Sequence, residues 1–204
     1  MIRSLQTSVR RAAVLLLAAG LAGCVPPATA PVSAPPPPPA AAVVPVDPSH
    51  IESDAMIATS IAATPGLGTL AAELHTAELD ALLASNGPYT LFAPTDTAFT
   101  RLAPGIARDL LAPENRAALV ALLRYHIVRG TMTTEQLTAR IRAGGGRTML
   151  TTLGGQPITA TLTGDVITLT SVTGNRSYVE AADVAQANGV IHVVNGVLVP
   201  NLPQ

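Results

Sequence analysis

The chain has 204 residues, is 48% hydrophobic and 12% charged, and carries a formal charge of −1 with no lysine and a single cysteine. So mild an acidic balance argues against nucleic acid, which needs a basic stripe. One cysteine permits no internal disulfide, so folding must rest on a hydrophobic core, and the length suits a single domain of about 155 residues behind a leader.

The leader begins with Arg3, Arg10 and Arg11 and runs into an apolar stretch over 12–22. That stretch is well short of the ~20 residues needed to span a hydrocarbon core. A basic start, a short apolar segment and small residues before a cleavage point describe a secretory signal. Leu21-Ala22-Gly23-Cys24 resembles the bacterial lipoprotein signal, in which the cysteine is acylated and becomes the new N-terminus. The rival is an ordinary signal peptide with an incidental cysteine. The resemblance implies a signal over 1–23 and membrane attachment through lipid on Cys24, which is stable when two or more acyl chains are present. Loss of three arginines leaves 9 basic against 13 acidic groups, about −4. Val25 after the cysteine, by resemblance to the enterobacterial sorting pattern, favours the outer membrane, at its cell surface or periplasmic face. Residues 24–49 then form a Pro/Ala-rich tether that includes the run Pro35–Pro39. Within it, the 24 residues Val25–Pro48 reach about 75 Å in fully extended polyproline II form. A proline-rich ligand for a partner domain is the alternative.

The folding part is 50–204. Ser53-Asp54 can cap a helix through Met56, Ile57 and Ile61 that ends before Thr64-Pro65-Gly66. Leu67, Leu70, Ala71 and Leu74 make an apolar helical stripe, continued by Leu79, Leu82 and Leu83. Asn86-Gly87-Pro88 delivers the chain into a strand at Tyr89, with Tyr89, Leu91 and Ala93 facing one way and Thr90 and Phe92 the other. Pro94 ends that ladder, and Thr95 or Asp96 caps a short helix carrying Phe99 to the core. Leu102 and Ile106 suggest short, broken helix. Pro113 and Glu114 suit a first helical turn, after which Leu119, Leu122 and Leu123 face inward. Tyr125–Val128 reads as strand. Thr133 or Thr134 caps a helix with Leu137 and Ile141 inward, and Gly144-Gly145-Gly146 breaks it as a mobile turn.

From Arg147 the period becomes strand-like: Thr148–Leu153, Pro157–Leu162, Val166–Val172 and Tyr178–Ala181. Asp183–Ala187 is a short helix at best. Val190–Val194 and Val197–Val199 read as closing strands across an Asn195-Gly196 hairpin turn. Helices first and strands later make an α+β domain.

Three segments stand out in order: Tyr89–Phe99 (YTLFAPTDTAF), Leu122–Gly130 (LLRYHIVRG) and Asn188–Pro200 (NGVIHVVNGVLVP). They resemble, respectively, the opening, central Tyr-His and closing motifs of the fasciclin family. The resemblance covers roughly 50–201 and implies one fasciclin-like domain, a wedge of two β-sheets flanked by several α-helices. It makes Phe92, Ala93, Pro94, Thr95, Asp96, Phe99, Asn188, Gly189 and His192 structural motif residues. In the family the Tyr-His dipeptide and its aliphatic neighbours are associated with adhesion, including integrin binding in animal members, so Tyr125, His126, Ile127 and Val128 are candidate binding residues. A further acidic adhesion motif of some animal members is missing here.

The residues themselves admit a plainer account. His126 reads as a buried histidine bonded on both ring nitrogens with Tyr125 beside it, His192 as a core or sheet-face residue, and Asp96 as a cap. His50 and His75 read as exposed. No two histidines stand at i, i+4 and no carboxylate joins them at ligand spacing, so no metal or cofactor is expected. There is no Gly-x-Ser-x-Gly elbow and the cysteine is assigned to lipid, so no catalytic residue is expected and the chain reads as non-enzymatic. The expected role is a lipid-anchored adhesion or binding module of the cell envelope. Its partner would be an envelope or matrix polysaccharide, or a surface protein. The alternatives are a periplasm-facing structural protein that binds peptidoglycan or another envelope component, and an enzyme on an envelope glycan or lipid.

Overall fold

A computed structural model describes Val46, residues 54–102 and residues 115–202. The signal at 1–23, Cys24, the tether apart from Val46, and His50, Ser53, Ile106, Pro113 and Glu114 lie outside the described residues. In chain order the elements are α1 (Ile57–Ala63), α2 (Gly68–Thr76), α3 (Asp80–Leu83), β1 (Tyr89–Pro94), α4 (Asp96–Thr100), α5 (Arg116–Tyr125), β2 (Ile127–Arg129), α6 (Thr134–Ala143), β3 (Arg147–Thr151), β4 (Pro157–Thr163), β5 (Val166–Thr170), β6 (Arg176–Gln186) and β7 (Gly189–Val194). The α+β class holds. Among the described residues no helix is long and apolar enough to cross a membrane.

The strands run in the order β2-β1-β7-β6-β5-β4-β3, with β1 and β7 parallel and the other neighbours antiparallel. β6 changes partner along its length: Arg176–Tyr178 pair with β5, and Val179–Gln186 pair with β7. The sheet therefore has two halves that share β6. Its far ends return toward each other, because Val128 of β2 bridges Thr152 just past β3 and the Leu153 N–H donates to the Ile127 carbonyl at 2.7 Å.

Both faces of β1 are covered, which is why its sequence is apolar at almost every position. Leu91 and Ala93 join Ile57, Ile61, Leu67, Leu70 and Leu74 in a first core under the helices, and Val46 packs against it. Phe92 points the other way, into a second core with Tyr125, Leu137, Ile141, Leu169 and Leu198. A smaller third cluster joins Ala98 and Leu122 to Val197 and Val199, with Phe99 and Leu102 against it.

Several local expectations are corrected. Helix α1 opens at Ile57 with Met56 in the capping position and no side-chain cap of its own; Asp54 stays in an exposed turn. The stripe through Leu83 is two helices, because Glu78 adopts φ 56 and the Leu79 N–H closes back on the Leu74 carbonyl, a terminator that apolar spacing does not reveal. Tyr125 belongs to α5 and His126 is its C-cap, so the strand starts only at Ile127.

Asp183–Ala187 is not helix. Val184, Ala185 and Gln186 pair with Ile191, Val190 and Gly189, and Asp183 sits at φ 59 in an irregularity of the ladder. Pairing with β7 overrides the helix preference of an alanine-rich stretch. Val197–Val199 is not a strand either. Asn195 turns back onto Tyr178, its side chain accepting from the Tyr178 N–H at 2.9 Å and its own N–H donating to the Tyr178 carbonyl at 3.1 Å. The three residues beyond are buried without a ladder.

Thr133 caps α6 in a reciprocal box with Gln136. The triple glycine ends that helix in a close turn, with the Gly146 N–H on the Ile141 carbonyl at 2.9 Å.

Candidate functional site

The three motif segments meet at the end of α5. The His126 carbonyl accepts from the Phe92 N–H at 2.9 Å, joining the central motif to the opening one. The ring faces the closing segment, where His126 Nε2 accepts from the Leu198 N–H at 3.0 Å. That N–H can only donate, so Nε2 carries no proton, and Nδ1–H donates to the Leu122 carbonyl at 2.9 Å. His126 is fully buried, and desolvation lowers its pKa to about 4, against a smaller opposing effect of the Leu122 carbonyl. It is a neutral connector.

Tyr125 points the other way along the junction, its ring edge-on to His126. Its hydroxyl donates to the Pro157 carbonyl at 2.7 Å and accepts from the Val172 N–H at 3.1 Å, tying α5 to β4 and to the segment after β5. Burial raises its pKa, and the Val172 N–H partly offsets this. Ile127 enters the first core and Val128 the second. None of the four candidate binding side chains is more than 2% exposed. Tyr125→Phe keeps the ring and orphans only the Pro157 carbonyl and the Val172 N–H. We expect a stability loss of about 1–3 kcal/mol in urea denaturation.

His192 has the opposite tautomer. Its Nδ1 accepts from the Asp183 N–H at 3.2 Å, so Nε2–H donates to the Met132 carbonyl at 2.7 Å. It pairs in register with Phe92 on β1 and stacks on that ring, with centroids 5.5 Å apart. Burial lowers its pKa; the Met132 carbonyl and Asp183 act in the other direction. Asp183 also caps α6, its carboxylate accepting from the Thr134 N–H at 2.7 Å.

The opening motif divides its capping between two helices. Thr95 caps α4, its hydroxyl accepting from the Ala98 N–H at 3.2 Å. Asp96, expected to serve that same helix, instead accepts from the Thr69 N–H at 2.7 Å in the first turn of α2. Asp96→Ala should cost about 1 kcal/mol and Asp96→Asn much less, since an amide oxygen still accepts. Thermal melts of the two variants would separate these losses. Pro94 closes β1 and Phe99 lies half-buried between the first and third cores.

Asn188 is the clamp that sequence reasoning could not specify. Its Oδ1 accepts from the Ile57 N–H at 3.0 Å, and its Nδ2 donates to the Leu83 and Ser85 carbonyls at 2.6 and 2.8 Å. One buried amide thus supplies the cap that α1 lacks and holds the end of α3. At Gly189 a Cβ would overlap the Tyr89 carbonyl of the neighbouring strand, so only glycine fits.

An open groove of about 530 Å³ lies beside the β2–β3 bridge. Its apolar lining is accessible at Met149 and Leu153 and buried at Val128, Met132 and Leu150, and Arg129 and Arg140 line it as well. Sequence reading passed over both arginines. Among the described residues no group of three His, Cys, Asp or Glu side chains could hold a metal.

A family model of the fasciclin domain matches residues 65–200. The chain is 34% identical over 159 residues to protein sll1483 of Synechocystis sp., spanning 76% of this chain and 79% of that protein. It is 30% identical over 141 residues to periostin of Homo sapiens, spanning 69% of this chain but 15% of periostin. Among solved structures, a fasciclin domain pair from the insect cell adhesion molecule fasciclin I matches with a TM-score of 0.63 at 16% identity, over 71% of this chain and 50% of that one. At that identity the likeness concerns the fold.

Proposed function

The chain belongs to the fasciclin domain family, and on that premise we propose that it is a non-enzymatic, lipid-anchored adhesion module of the cell envelope. The observation that carries this reading is how the motif side chains are used. Tyr125, His126, Asn188 and His192 are each bonded to main-chain groups inside the domain. A general acid, base or nucleophile must reach a substrate, whereas these groups hold a scaffold together. Recognition then falls to the surface around the junction. The insect relative's description as a cell adhesion molecule supports the same direction.

The anchor rests on Leu21-Ala22-Gly23-Cys24, and the reach on the proline-rich tether. We place the protein in the outer membrane with an envelope or matrix polysaccharide, or a surface protein, as partner. Labelled fatty acid should enter the wild-type chain and not Cys24→Ser. Protease applied to intact cells should remove the domain while a periplasmic marker survives. Protection until the outer membrane is permeabilised would overturn surface adhesion in favour of a periplasm-facing structural protein that binds peptidoglycan or another envelope component.

A further inference from the structure

Charge is unevenly placed along this chain. Between Asn115 and Gly164 there are six arginines and one acidic residue, Glu135, although the whole chain is formally −1. Arg116 is paired with Glu78 at 2.7 Å. The side chains of Arg129 and Arg140, both exposed, make no hydrogen bond or ion pair among the described residues. These two reach one place by different routes, Arg129 at the end of β2 and Arg140 in the last turn of α6, and both line the groove beside the β2–β3 bridge. No acidic residue lines it. A cation in the last turn of a helix favours the helix dipole, which accounts for Arg140 but not for Arg129.

We propose that this groove binds a carboxylate-bearing polysaccharide, a uronic-acid polymer, with Arg129 and Arg140 holding carboxylates and the apolar lining receiving the C–H faces of the sugar rings. The inference rests on the adhesion reading above and names its ligand chemistry. A guanidinium matches a carboxylate with two parallel N–H donors, and an unpartnered one has that capacity free. Met149, 66% exposed, and the half-buried Leu153 also line the groove, apolar surface that a site recognising charge alone does not need. Thr151 adds a hydroxyl for sugar hydroxyls.

An acidic peptide added as an extra strand is less well served. β2 is three residues long and paired to β1, the bridge to Thr152 and the Leu153–Ile127 bond close its other side, and α6 packs against β3. Little free backbone edge remains for strand addition.

The test is binding of the full chain to polygalacturonate, with its methyl ester and polyglutamate as controls, for the wild type and for the Arg129→Gln/Arg140→Gln variant. We expect the wild type to bind polygalacturonate, the methyl ester and polyglutamate to bind at least tenfold more weakly, and the double variant to lose tenfold or more. Its melting temperature should change little, because neither side chain has a partner among the described residues and only the dipole contribution of Arg140 at the end of α6 is lost. Equal binding by the double variant, equal binding of the methyl ester, or no binding by the wild type would overturn the proposal. Equal binding of polyglutamate would reassign the groove to acidic peptides. Attachment of chain-coated beads to envelope material, measured in parallel, separates the two readings. If the beads attach equally with wild type and double variant, adhesion stands and the groove is not its site. If wild-type beads fail to attach, the adhesion reading falls whatever polygalacturonate shows.

Discussion

Asn188→Asp should unfold much of the population at neutral pH, a larger loss than Asn188→Ala. The asparagine is 4% exposed, and its three hydrogen bonds go to main-chain groups of α1, α3 and the residue after α3's C-cap. Alanine leaves one N–H and two carbonyls without a partner, and at roughly 1 kcal/mol per lost bond this costs about 3 kcal/mol. Aspartate keeps the acceptor for the Ile57 N–H but turns the amide nitrogen into a second oxygen. A buried carboxylate then faces the Leu83 and Ser85 carbonyls, where the amide had been a donor at 2.6 and 2.8 Å. An uncompensated buried charge adds roughly 3–5 kcal/mol, comparable with the whole stability of many domains. Urea midpoints for wild type, Ala and Asp should fall in that order. An Asp variant as stable as wild type would show that Asn188 does not hold these elements together.

Acid should destabilise the domain well before carboxylates titrate, through its two buried histidines. His126 has a folded pKa of about 4 against 6.5. Between those values the unfolded chain takes up the proton and the folded one resists it, so stability rises with pH. The contribution is fully present above pH 6.5 and is lost as the pH falls toward 4. At about 1.4 kcal/mol per unit, His126 alone accounts for about 3 kcal/mol. His192 is lowered in the same direction, with burial again the main cause. Protonation would also remove the acceptor used by Leu198 N–H in one case and Asp183 N–H in the other. Urea midpoints measured from pH 8 to 4 should trace this loss. Ring-proton NMR of folded protein should show the His126 ring staying essentially neutral from pH 8 to 5. A His126 ring signal that shifts near pH 6.5 in folded protein would contradict the buried, neutral connector.

Much of this architecture was legible because it rests on local rules. Leu67, Leu70 and Leu74 recur at helical spacing and are buried. Thr133 and Thr95 cap because a hydroxyl beside the first free N–H groups needs no distant partner. The failures have two causes. Glu78 at φ 56 is a local terminator that apolar spacing hides, whereas Asp183 at φ 59 lies in the pairing with β7 and Val197–Val199 are buried without a ladder by packing. The polar candidates show the same division. That His126 and His192 are buried and bonded follows from their apolar surroundings, but which carbonyl each donates to does not. Arg129 and Arg140 look in sequence like ordinary surface charges, and the skewed charge of the middle segment was the only available signal.

By itself, then, the sequence determined the family, the α+β class, most helices and strands, and the apolar faces that form the cores. Periodicity, capping chemistry and three ordered motifs are properties of neighbouring residues. The tertiary structure decided that Asp96 caps α2 rather than its own helix, that one asparagine clamps segments 103 and more residues away, and that two arginines from different elements border one groove. Long-range hydrogen bonds and convergent charges depend on which backbone groups the fold leaves unpaired, and that is settled only when the sheet halves and helices pack.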